Sequence, residues 1–121
     1  MRFLWVVFLL CIGVVSPLFA ACRVHPGAFE TCDGNTTITT GGTAQNLFGG
    51  LLPKTGFSIA NPDPTEDCWF SQSATAAPNG TGSQRLQANG GWYETPPGMR
   101  PMGPVSIVCA TTGHKITAER W

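Results

Sequence analysis

Two histidines, a short acidic cluster and five cysteines are the residues of this chain whose types could carry chemistry. A hydrolytic mechanism needs a base within reach of a nucleophile, and histidine is the usual base. His25 precedes Pro26, and His114 stands in a turn beside Lys115, where an exposed, solvated imidazole is expected. Asp63, Glu66 and Asp67 could hold calcium or supply a general acid. Glu66 and Asp67 are adjacent, however, and adjacent side chains of extended chain diverge, so the cluster reads as a plain acidic loop. GGTAQNLFGG, residues 41–50, lacks the strand-to-helix setting of a phosphate loop. These residues predict no catalytic group and no cofactor.

Cysteine is better explained by cross-linking than by metal. Cys11 lies within the first apolar run, which leaves Cys22, Cys32, Cys68 and Cys109, separated by 9, 35 and 40 intervening residues. Zinc ligands usually come two to four residues apart, so no metal site is expected. Four cysteines allow three connectivities. The pairing expected is Cys22 with Cys32, inside a loop-like stretch, and Cys68 with Cys109, both in strand-like runs. On the loop-entropy model these bridges stabilise the fold by roughly 3 and 4 kcal/mol.

Disulfides imply an oxidising compartment, and the amino terminus agrees. Residues 1–21, MRFLWVVFLLCIGVVSPLFAA, carry Arg2, an apolar stretch, Ser16-Pro17 and a small-residue end, the layout of a secretory signal peptide. Cleavage makes the protein secreted or periplasmic, with no membrane attachment afterwards. An uncleaved anchor and a lipoprotein modified at Cys22 are the alternatives. Lipidation of Cys22 would leave one thiol unpaired, which favours ordinary cleavage.

Seven Lys/Arg balance seven Asp/Glu, so the chain has no basic footprint for nucleic acid. With 15 Gly and 10 Pro among 121 residues, a coiled coil and a helical bundle are excluded. From residue 36 onward the pattern is strand, turn, strand. Thr36–Thr40, GFSIAN (56–61), DCWFSQ (67–72), Ser83–Ala88, Trp92–Thr95, Val105–Ala110 and Lys115–Trp121 read as strands, most with alternating apolar and polar positions. Pro96-Pro97 place the Trp92 strand at a sheet edge. Residues 45–52 offer at most one helical turn, and MRPMGP (99–104) reads as an irregular crossover. The last two strands, joined by TTGH, read as a terminal β-hairpin. Together they predict a single all-β domain, a small antiparallel sandwich of Ig-like or jelly-roll-like type. Residues 22–55 form its disulfide-closed amino-terminal segment with the first strand, and 56–121 its core.

Aromatic residues are the remaining candidates. Trp92 and Tyr93 must point to opposite faces of an extended strand, so one of them is expected to be exposed and available to a protein or carbohydrate partner. Asn35-Thr36-Thr37 and Asn79-Gly80-Thr81 match the glycosylation acceptor pattern. Free strand edges permit self-association without requiring it.

CWFSQS, ANGGWYETPPG, the GPVSIV strand and ATTGHKITAERW, within residues 56–121, give the chain a resemblance to small β domains of tailed-phage particles. That resemblance implies an all-β module that decorates capsids or fibres without catalysis. The expectation is therefore a non-enzymatic binding or structural module. A virion-like structural role is the first alternative, and a small secreted hydrolase or hydrolase inhibitor using His114 and a nearby carboxylate is the second.

Overall fold

A computed structural model describes residues 22–24, 26 and 30–121. The leader read over residues 1–21, and His25, lie outside the described residues. The described chain forms ten strands: β1 (Cys22–Val24), β2 (Glu30–Asp33), β3 (Thr36–Thr37), β4 (Gln45–Asn46), β5 (Phe57–Asn61), β6 (Cys68–Ser71), β7 (Ser83–Leu86), β8 (Gly91–Glu94), β9 (Ser106–Cys109) and β10 (Lys115–Arg120). They build two antiparallel sheets packed face to face. One runs β1-β2-β10-β5-β8, with β3 also on β10, and the other runs β4-β9-β6-β7.

Alternation explains which face of each strand is buried. Phe57, Ile59 and Asn61 of β5 point inward, as do Ile116 and Ala118 of β10; Cys68 and Phe70 of β6 meet them from the other sheet. Phe57 is the centre of the core, in edge-to-face contact with Phe48 at 5.8 Å and with Phe70 at 6.3 Å between ring centroids. Such pairs add roughly 1 kcal/mol each beyond area burial. Segment 22–55 belongs to both sheets: β2 pairs β10, β4 pairs β9, and Ile38, Leu47 and Phe48 join the core.

Both disulfides link residues directly opposite each other on antiparallel neighbours, Cys22 to Cys32 across β1–β2 and Cys68 to Cys109 across β6–β9. All seven strands read from the sequence are present. The three additional ones, β1, β2 and β4, are two to four residues long and mostly polar or exposed, with no apolar alternation to betray them. Residues 47–50 form a turn after β4 rather than a helical one.

The expected terminal hairpin is corrected. β9 pairs β4 and β6, whereas β10 pairs β2, β3 and β5, so the turn at 111–114 carries the chain from one sheet to the other. Gly113 takes φ 86° there, which glycine adopts at little cost. A hairpin would set Ile107, Cys109, Ile116 and Ala118 on one face of one sheet. The crossing instead turns the two apolar sets toward each other across the core.

Candidate functional site

Trp92 and Tyr93 part company as their alternation requires. Tyr93 faces the core, its ring 5.5 Å from that of Phe57 and 4.9 Å from that of Phe70, and its hydroxyl accepts a hydrogen bond from Gln72 Nε2 at 2.9 Å. Trp92 faces solvent and is 63% exposed. It stands on β8, the last strand of its sheet, and Thr95 and the Pro96-Pro97 pair follow at once. Of the two aromatic candidates only Trp92 presents its ring to solvent.

His114 overturns the expectation of an exposed imidazole. Its side chain is 1% exposed, because His114 shares the alternation of Ile116 and Ala118 and so enters the sandwich from the crossing turn. Asn61, the last inward residue of β5, meets it there. Asn61 Nδ2 donates to the carbonyls of Glu66 at 2.7 Å and Leu86 at 3.2 Å, which fixes the amide with Oδ1 toward the ring. That oxygen can only accept, so His114 Nε2, 2.9 Å away, carries a hydrogen and donates it. Nε2 also lies 3.4 Å from the sulfur of Cys68, and Nδ1 faces Glu66 Oε1 at 3.4 Å and Asp63 Oδ2 at 4.0 Å. The ring therefore ties the β5–β6 crossing to the β9–β10 crossing. Its contacts are an amide oxygen, two carboxylates and a disulfide sulfur, none of them a free hydroxyl or thiol.

The acidic cluster is engaged in the same region. Asp63 Oδ1 accepts from the N–H groups of Thr65 and Glu66 and from the Thr65 hydroxyl, and these bonds, the Thr65 N–H foremost, hold its carboxyl below the usual value. Burial works against the Glu66 anion, but the Thr111 hydroxyl at 2.5 Å and the Thr111 N–H at 2.9 Å outweigh it and keep that carboxyl low as well. Asp67 turns the other way, as adjacent side chains should. It caps the Ala88 N–H at 2.7 Å and pairs with Arg85, and its carboxyl is lowered by those partners in that order.

Glu66, Cys68, Cys109 and His114 bring four ligand-type atoms within 4.8 Å of one another. Both sulfurs are joined to each other, so coordination by them would first require reduction of the bridge. A groove of about 690 Å³ runs between β4, residues 72–75 and residues 102–106, and among the described residues no ionisable side chain lines it.

Asn61 was the residue that sequence reasoning passed over. Its signal was the alternation Phe57, Ile59, Asn61, which places an amide on the buried face and demands a buried partner. Comparison with family models, with curated proteins and with solved structures gives no match.

Proposed function

We propose that this chain is a β-sandwich module that works outside the cytosol by contact, binding a protein or carbohydrate partner through the β8 edge. The observation that carries the reading is Trp92, a large aromatic ring left exposed on a strand that, among the described residues, has no hydrogen-bonded neighbour on one side. Buried aromatic anchors dominate binding energies at interfaces, and an exposed one on a rigid strand is held ready for that role. The two cross-strand disulfides are compatible with an extracellular or periplasmic site. The engagement of His114 and its carboxylates in linking the two crossings supports a role without chemistry at that cluster.

Trp92→Ala tests the reading. Against an array of extracellular proteins and oligosaccharides, the variant is expected to lose the binding shown by the parent while its stability stays within about 0.5 kcal/mol, as for other surface substitutions. A variant that unfolds would place the ring in the packing instead. The intact mass of exported protein, with and without reductant, tests the compartment. Loss of residues 1–21 and a gain of four hydrogens on reduction are expected; four free thiols would overturn it.

A further inference from the structure

The outward side chains of three neighbouring strands form one pattern when their registers are read together. On and just before β5 they are all small: Gly56, Ser58 and Ala60. β8 raises Trp92 and Glu94 on one side, and β10 raises Thr117 and Glu119 on the other. Ala60 lies opposite both Trp92 and Thr117, and Ser58 opposite both Glu94 and Glu119. At the next level Gly56 and Trp121 exchange two backbone hydrogen bonds, of 3.0 and 2.9 Å, and the Thr95 N–H to Phe57 carbonyl bond of 2.9 Å carries β8 down toward Pro96.

Tall side chains on both sides of a floor of small ones make a trough along β5. At its lower end the trough's two walls, Glu94 on one side and Glu119 with Trp121 on the other, also line a groove of about 560 Å³ that continues past Thr55 to Pro96 and Pro97. Gly56 is required there: a Cβ at this position would stand 2.6 Å from Trp121 Nε1, so only glycine lets the indole lie across the floor. The indole forms one end of the trough, and Trp92 stands at the other.

Charge decides what such a trough accepts. Directly opposed strand residues are about 5 Å apart, so Glu94 and Glu119 stand roughly 10 Å apart with Ser58 between them. Asp33 lies opposite Glu119 on its far side and adds a third carboxylate. Among the described residues neither Glu94 nor Glu119 has a hydrogen-bonding or ion-pair partner, and no Lys or Arg lines the groove. We infer that the trough takes an extended segment of a partner protein carrying an arginine, with the guanidinium between Glu94 and Glu119 and against the Trp121 indole. Arginine fits better than lysine, because its planar fork pairs with two carboxylates and stacks on an aromatic face. An extended segment matches the straight floor, since its own side chains alternate with the same period of two. The inference rests on the β8 edge being a contact surface, and it adds the chemistry of the partner.

The test is a titration of isotope-labelled protein, followed by NMR, with the peptide acetyl-Thr-Val-Arg-Val-Thr-amide. Versions with lysine, norleucine or glutamate at the centre, and chitohexaose as an uncharged glycan, complete the series. The arginine peptide is expected to move the indole signals of Trp92 and Trp121 and the amides of 57–60, and to bind about tenfold more tightly than the norleucine version. Glu94→Gln with Glu119→Gln should remove that advantage while leaving the melting curve in place, since both side chains are exposed. An unchanged arginine preference in the double variant overturns the inference, as does a norleucine peptide or glycan that binds as tightly as the arginine peptide. In those cases shifts at Trp92 would leave the contact surface standing. Absence of any shift at the trough with every probe also overturns the inference, while the reading beneath it is judged separately by Trp92→Ala.

Discussion

Carboxylates occur in two regions of this sandwich with opposite surroundings. Asp63, Glu66 and Asp67 lie where the chain crosses from one sheet to the other, and each accepts hydrogen bonds from at least one backbone N–H. Glu94 and Glu119 stand on the outer face of the sheet, Glu94 on the edge strand β8 and Glu119 on the interior strand β10, with no such partner among the described residues. The difference follows from the backbone. A crossing leaves N–H groups outside any ladder, and those donors must be satisfied, so acidic side chains nearby are drawn onto them. Along a strand the backbone donors lie in the plane of the sheet, paired in the ladder or, at the β8 edge, turned sideways, so a carboxylate on the outer face is not drawn onto them and stays free for solvent or for another molecule.

The largest expected effect tests the crossing side. Asn61→Ala removes a buried amide that donates to Glu66 and Leu86 and accepts from Asp63 and His114, the Leu86 and His114 bonds buried and the other two partly so. Leaving those groups unpaired is expected to cost about 3 kcal/mol in a urea unfolding experiment. Glu94→Gln in the same assay should stay within about 0.5 kcal/mol. If the two variants unfold at the same urea concentration, the contrast between the regions is wrong.

This contrast was only half legible in the sequence. Strand positions β5 to β10 followed from alternation and from Gly and Pro punctuation, because a half-buried strand must repeat with period two. Asn61 and His114 obey that same period, yet their polarity masked their inward direction, and a turn residue such as His114 is ordinarily solvated. The destination of the last turn was not readable either. TTGH suits a hairpin and a sheet-to-sheet crossing equally well, and only the packing of Ile107 and Cys109 against the other sheet chooses between them. Trp92 was legible as one of an alternating pair, and the edge position of its strand was foretold by Pro96-Pro97. The trough needed the registers of three strands, which a single sequence does not contain.

Acid should separate the regions by a smaller margin. Asp63, Glu66 and Asp67 are held below their ordinary values of 3.8, 4.5 and 3.8, so the folded state binds fewer protons than the unfolded chain near those values. Their contribution is present in full above the ordinary values and is lost as pH falls through the lowered ones. Stability is therefore expected to be flat in this respect above about pH 5 and to fall below about pH 4. Glu66→Gln should flatten part of that acid limb, whereas the Glu94→Gln and Glu119→Gln variants should retain it. Denaturant midpoints measured across the pH series would show which carboxylates carry the limb, and an acid limb abolished by Glu119→Gln would contradict the division.

Glu119→Gln at neutral pH is the smallest effect and the sharpest test of the outer face. Glu119 is directly opposite Asp33 on β2, and two like charges in that relation repel. Neutralising one of them should leave stability unchanged or raise it by up to about 0.5 kcal/mol, with the gain shrinking as salt is added. Two opposed carboxylates, with a third across Ser58, repel one another unless a cation offsets them, and among the described residues none of the three is ion-paired. A cation arriving with a partner would relieve that repulsion. A measured loss of stability in Glu119→Gln would mean that Glu119 is engaged within the fold, and the resemblance between this face and an open binding surface would fail at its centre.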